Sequence, residues 1–106
     1  MSAPVLKEAL QLVETLGLAP LARISNTMPR NYVGEAYRRW DARRREVEDQ
    51  VAAKLREQGA IVTVRSDATR IHFAGVGASS TMGLQQALRN WKTAAEKGLK
   101  HWGNRQ

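Results

Sequence analysis

Ala60-Ile61-Val62-Thr63-Val64-Arg65, the linker Ser66-Asp67-Ala68-Thr69, and Arg70-Ile71-His72-Phe73-Ala74 decide how this chain folds. Two β-rich runs flank a four-residue linker that carries polar, turn-compatible residues, the pattern of an antiparallel hairpin. With Asp67 and Ala68 as the loop, Val64 faces Ile71 and Val62 faces Phe73 on one side. Thr63 then pairs with His72 and Arg65 with Arg70 on the other. A four-residue loop from Ser66 to Thr69 gives the same pairing. One face is apolar and the other basic. Two strands alone are marginal in water, so helices must cover the apolar face, and the free edges invite a homodimer through the hairpin edge.

Outward from the hairpin the pattern turns helical. Upstream, Val33, Tyr37, Trp40, Val47, Val51 and Leu55 recur at spacings of three, four and seven, which predicts a long helix from about Asn31 to Gln58, ended by Gly59. Earlier still, Ser2 and Pro4 open a short amphipathic helix carrying Val5, Leu6, Ala9, Leu10, Val13 and Leu16, with Gly17 as its C′ residue. Leu18 to Asn31, punctuated by Pro20 and Pro29, reads as a connector. Downstream, Gly75 to Thr81 reads as a loop with a hydroxyl N-cap entering a third helix. That helix buries Leu84, Leu88, Trp91 and Ala95 and stops at Gly98. The order α-α-β-β-α is an α+β fold: two N-terminal helices, the second long, a β-hairpin and a C-terminal helix. One small domain spans residues 1–98 and a basic tail residues 99–106.

A length of 106 residues allows one modest core, and 42% apolar with 25% charged residues is a globular composition. The absence of cysteine excludes disulfide scaffolds, thiolate metal sites and Cys nucleophiles, and makes a reducing compartment the default. Met1 to Glu8 lacks a basic leader region, and Glu8 and Glu14 interrupt the apolar stretch, so the expectation is a cytoplasmic protein with no export signal and no membrane partner.

Seventeen Lys and Arg against ten Asp and Glu give a formal charge of +7, which attracts polyanions or acidic partners. The Arg38 to Arg45 run contributes little, because Asp41, Glu46, Glu48 and Asp49 stand one helical turn from its arginines. Arg44 is the exception, falling on the apolar stripe between Trp40 and Val47. It must pair with an acid, stack on Trp40, or mark where the stripe emerges into solvent or an interface. The excess charge lies in the C-terminal quarter, where Arg89, Lys92, Lys97, Lys100 and Arg105 face Glu96 alone. Arg23 and Arg30 add two charges in the connector, and Arg65, Arg70 and His72 form a cluster on the polar hairpin face.

Glycines and the hydroxyls of Ser79, Ser80 and Thr81 before a helix suit an anion. No Gly-Lys-Ser/Thr closes this loop and no third glycine stands at Ser80, so it is neither a P-loop nor a dinucleotide fingerprint. Gly75 to Ser79, G-x-G-x-S entering a basic helix, resembles over about a dozen residues the last turn of double-stranded-RNA-binding domains, which reaches phosphates. The paired lysines and third strand of that fold are not read here, and a helix is added in front, so the family is not assigned. Trp40 and Trp91 lie on apolar helix faces and read as core. Trp102, between Lys100 and Arg105, suits stacking on a base or folding back over the core.

His72 and His101 lie in different elements without a motif, and no metal-ligand spacing or nucleophile elbow occurs, so no enzyme, cofactor or metal is expected. The expected function is a small basic non-enzymatic protein binding nucleic acid, DNA or RNA, through phosphate-backbone contacts. Arg65, Arg70, His72, Ser79, Ser80, Arg89, Lys92, Lys97, Lys100, Trp102 and Arg105 form the expected surface, provided they converge on folding. The alternative is an interaction module or inhibitor of phage or mobile-element type that docks on a host nucleic-acid-handling protein complex. Its anchors would be Met28, Tyr32, Tyr37, Met82 or Trp102.

Overall fold

Leu6, Ala9 and Val13, spaced three and four apart, are the buried stripe of helix α1 (Ala3–Val13) in the computed structural model, which describes residues 3–103. Gly17 does not end this helix. The backbone continues through a π-helical segment (Glu14–Leu18) into α2 (Ala19–Ser25). A Cβ on Gly17 would stand 2.7 Å from Leu88 Cδ1 and 3.5 Å from Val51 Cγ1, so the glycine admits neighbouring side chains instead of capping a helix. Pro20 follows closely on the π-helical segment and supplies no N–H to the hydrogen-bond ladder there. Much of the expected connector is therefore helical, and two N-terminal helices become α1, α2 and a third.

That third helix, α3 (Glu35–Glu57), begins later than Asn31, after Gly34 at φ +105°. It buries only Val51, Ala52 and Leu55, with Val47 packed at the margin. Of the stripe that predicted one long core-facing helix, Val33 lies before α3, and the core ends near Val47. From Glu35 to Glu46 no residue is buried. Trp40 is accordingly half-buried and outside the core, contrary to the sequence reading.

The sheet has three antiparallel strands in the order β1 (Ile61–Val64), β2 (Thr69–Phe73), β3 (Val76–Ser80), where two were expected. Ala74 at φ +53° and Gly75 at φ +78° form a two-residue turn of the hand that suits strand twist, and Phe73 pairs with Val76 across it. The segment Gly75 to Ser80 is thus a turn and a strand. Ser79 and Ser80 do not cap a helix, and the likeness to the last turn of double-stranded-RNA-binding domains loses the residues that carried it. The first hairpin closes two residues earlier than expected: Val62 pairs with Ile71, Thr63 with Arg70 and Val64 with Thr69, with Arg65 N–H donating to Ala68 O (3.0 Å) in the loop. A shift of two keeps every side chain on its face, so the apolar and polar sides stand as read. Arg65 and Arg70 are not cross-strand partners.

Helix α4 (Leu84–Gly103) follows Gly83 at φ +99° and covers the apolar face of the sheet. Leu84, Ala87, Leu88, Trp91 and Ala95 are buried against Val62, Ile71 and Phe73 and against Leu6, Val13 and Leu55 of the first helices. Trp91 donates its indole N–H to Phe73 O (3.2 Å) and Val76 O (3.1 Å), fastening the helix to the β2–β3 turn. The helix does not stop at Gly98, so residues 99–103, read as the start of a tail, are helical. The molecule measures 55 × 22 × 22 Å with a radius of gyration of 15.1 Å, longer than the ~13 Å of a round domain of about 100 residues. Among the described residues no helix is long and apolar enough to cross a membrane.

Candidate functional site

Alternation along the three strands puts Ile71, Phe73 and Ser80 under α4, and Ile61, Thr63, Arg70, His72, Gly77 and Ser79 on the opposite, outer face. The register arranges these in two rows: Thr63, Arg70 and Ser79 in one, Ile61, His72 and Gly77 in the next. His72 lies against β3 at Gly77, where a Cβ would meet His72 Cδ2 at an ordinary contact distance of 3.5 Å. Arg65 joins Arg70 at one end of this face around a recess of about 190 Å³, which Thr63, Asp67 and Ala68 also line. Asp67 makes no ion pair with either arginine, and no helix covers the face among the described residues. Two guanidinium groups flanked by hydroxyls on a flat, open surface can hold an oxyanion from several directions.

The other expected residues lie elsewhere. Arg89, Lys92, Lys97 and Lys100 belong to α4, which packs on the inner face, so the sheet itself separates them from Arg65, Arg70 and His72. Lys92 is paired with Glu14 of the π-helical segment (3.3 Å), and Arg89 shares a cleft with Glu14 and Glu96. Lys97 and Lys100 are exposed and make no ion pair among the described residues. Ser80 is buried and accepts the Met82 N–H (2.9 Å), a local structural role. The side chain of Trp102 and all of Arg105 lie outside the described residues. Of the surface pictured from sequence, Arg65, Arg70, His72 and Ser79 come together and the lysines do not join them.

A second concentration of charge was missed. From Arg23 to Arg45 there are seven arginines against two acids, Glu35 and Asp41, carried by α2, the loop after it and the upstream half of α3. The sequence hides this, because Glu46, Glu48 and Asp49 stand within a turn of the Arg38 to Arg45 run and Arg23 and Arg30 lie in a separate segment. Arg39 pairs with Glu35 (3.6 Å) and Arg45 with Asp41 (3.2 Å), while Arg23, Arg30, Arg38 and Arg43 have no acid partner among the described residues.

Arg44 fulfils all three roles its position allowed. It is bound to Asp41 (2.6 Å) and to Glu48, stands 5.8 Å from the Trp40 ring centre, and is about one-third exposed. Burial opposes its charge, but the Asp41 hydrogen bond and the pull of Glu48 outweigh that, and the guanidinium is held above its ordinary pKa. The same Arg44 hydrogen bond, only partly opposed by burial, lowers the Asp41 pKa. Trp40 in turn donates to Ile24 O (2.8 Å), which ties α2 to α3. Comparison with protein-family models, with curated proteins and with solved structures gives no match to this chain.

Proposed function

We propose that this is a non-enzymatic nucleic-acid-binding protein that contacts the phosphate backbone through the outer face of its sheet. Arg65 and Arg70 neutralise phosphates, His72 and the hydroxyls of Thr63 and Ser79 contribute further contacts, and shape counts for more than base sequence. The observation that supports this reading is the row Thr63, Arg70, Ser79 beside Arg65, donors without an acid partner on an uncovered surface. The α4 lysines lie across the sheet and are not part of this contact.

Fluorescence anisotropy of the full chain with a labelled DNA duplex and its RNA equivalent, over a salt series, tests the proposal. Two arginine contacts predict a log–log salt slope steeper by about 2 than that of Arg65→Glu/Arg70→Glu, at ~0.9 per phosphate on duplex DNA. Lys97→Glu/Lys100→Glu should leave affinity within about twofold, apart from a general loss of attraction at low salt. Salt-insensitive binding, or sheet reversals without effect, would overturn it.

A further inference from the structure

We propose that the cleft between α2 and the upstream half of α3, with the apolar residues that lead out of it, docks an acidic amphipathic segment of a different protein. This surface lies apart from the outer sheet face, and the inference does not rest on the nucleic-acid reading.

The cleft measures about 350 Å³ and is lined by Pro20, Arg23, Ile24, Thr27, Arg43 and Val47. From Thr27 the chain runs through Met28, Tyr32 and Val33 into α3, and these are 40%, 68% and 82% exposed. Exposed apolar side chains in so short a loop are not solvated without cost, and this loop leaves the cleft at Thr27, one of its lining residues. The upstream half of α3, twelve residues from Glu35 to Glu46, offers about 18 Å of helix whose sides have no core to cover. That length accommodates roughly three turns of a partner helix.

Charge selects among the occupants. A second copy meeting this one across the cleft would set Arg23 and Arg43 against the same two arginines, in a stretch where seven cations face two acids, so self-association here is repulsive. Nucleic acid satisfies the arginines but has no apolar surface for Met28 and Val33. Tyr37 and Trp40 are half-buried and engaged within the protein, which leaves Tyr32 as the exposed ring. Tyr32 packs edge-on to Tyr37 (6.0 Å), Tyr37 leans on Trp40 (5.7 Å), and Trp40 is anchored to Ile24 O with Arg44 over its ring. What fits is a segment presenting apolar side chains at helical spacing to the cleft at Ile24 and Val47 and to the loop that leaves it, flanked by carboxylates for Arg23 and Arg43.

A displayed library of random 16-residue peptides, selected on the full chain and counter-selected on Arg23→Glu/Arg43→Glu, tests this directly. Both arginines are exposed, so the variant keeps its fold, which circular dichroism checks. Val33→Ser provides a second, charge-neutral probe. The expected outcome is enrichment of net-acidic peptides with apolar residues three and four apart. Their binding at high salt should fall at least tenfold in Arg23→Glu/Arg43→Glu, several-fold in Val33→Ser, and less than twofold in Arg65→Glu/Arg70→Glu, about the general effect of net charge. The proposal is overturned by peptides without acidic bias, by none enriched over the counter-selection, or by binding that follows the sheet reversals. Displacement of selected peptides from the wild-type chain by a DNA or RNA oligonucleotide that no longer binds Arg23→Glu/Arg43→Glu overturns it in favour of nucleic acid. Sedimentation showing self-association that the same variant abolishes overturns it in favour of a second copy.

Discussion

At the scale of single residues, two glycines inside helices have opposite reasons to be there. Gly17 is buried where the first helices cross α4, and a methyl group would collide with Leu88. Gly17→Ala should therefore cost about 1–3 kcal/mol, read from urea unfolding. Gly98 lies within α4, where a methyl group would meet Leu6 Cδ2 at an ordinary 3.6 Å. Gly98→Ala should raise stability by about 0.5–1 kcal/mol in the same measurement. Sequence reading took both as helix ends, because a glycine that makes room and one that caps are the same letter. Asp41 yields a prediction in pH. Its folded pKa is depressed by Arg44, so its stabilisation is complete above the ordinary carboxylate range and is lost as pH falls through the lower folded value. The stability gap between wild type and Asp41→Asn should be constant from pH 7 to about 5 and close below about pH 4. A gap that persists in acid would mean that Asp41 acts other than by its charge.

Elements failed to announce themselves where side chains were small. β3 contains Gly77, Ala78 and Ser79, which lack the branched bulk that marks a strand, and it exists because the Ala74-Gly75 turn delivers it to β2. Ala74 occupies a left-handed conformation that Asn tolerates better, so Ala74→Asn should stabilise the β2–β3 hairpin by a few tenths to about 1 kcal/mol. Slower amide exchange across Phe73 to Val76 would report it. β1 and β2 were legible because a period of two is independent of register: any even slip keeps Val62, Ile71 and Phe73 inside. Which even register is adopted depends on the turn, and the four residues 65–68 permitted more than one. The sheet edges are partly occupied by side chains, with Arg56 donating to Val62 O (2.7 Å) and Asn90 to Ser79 O (2.9 Å). Those contacts reduce the room for edge pairing with a second copy.

On the scale of the whole molecule, the sheet has α4 on one side and, among the described residues, no helix on the other, while α3 extends beyond the core. The outer sheet face and the α2–α3 surface therefore present two separate sets of unpaired arginines. Reversals in the two sets should act independently. In the combined variant Arg23→Glu/Arg43→Glu/Arg65→Glu/Arg70→Glu, the losses in peptide and oligonucleotide affinity should each match the parent double variant to within about 0.5 kcal/mol, once the general effect of net charge is measured at high salt. A larger departure would mean that the two surfaces form one site.

By itself the sequence determined the helix stripes, the inside and outside of the first two strands and the excess of positive charge, because periodicity and composition are properties of neighbours along a chain. Tertiary structure decided that the core stops near Val47 and leaves Tyr37 and Trp40 outside it. It also decided that Arg70 and Lys97 stand on opposite sides of a sheet and that Arg23 shares a cleft with Arg43. These depend on where elements distant in sequence are packed together, which no local pattern encodes.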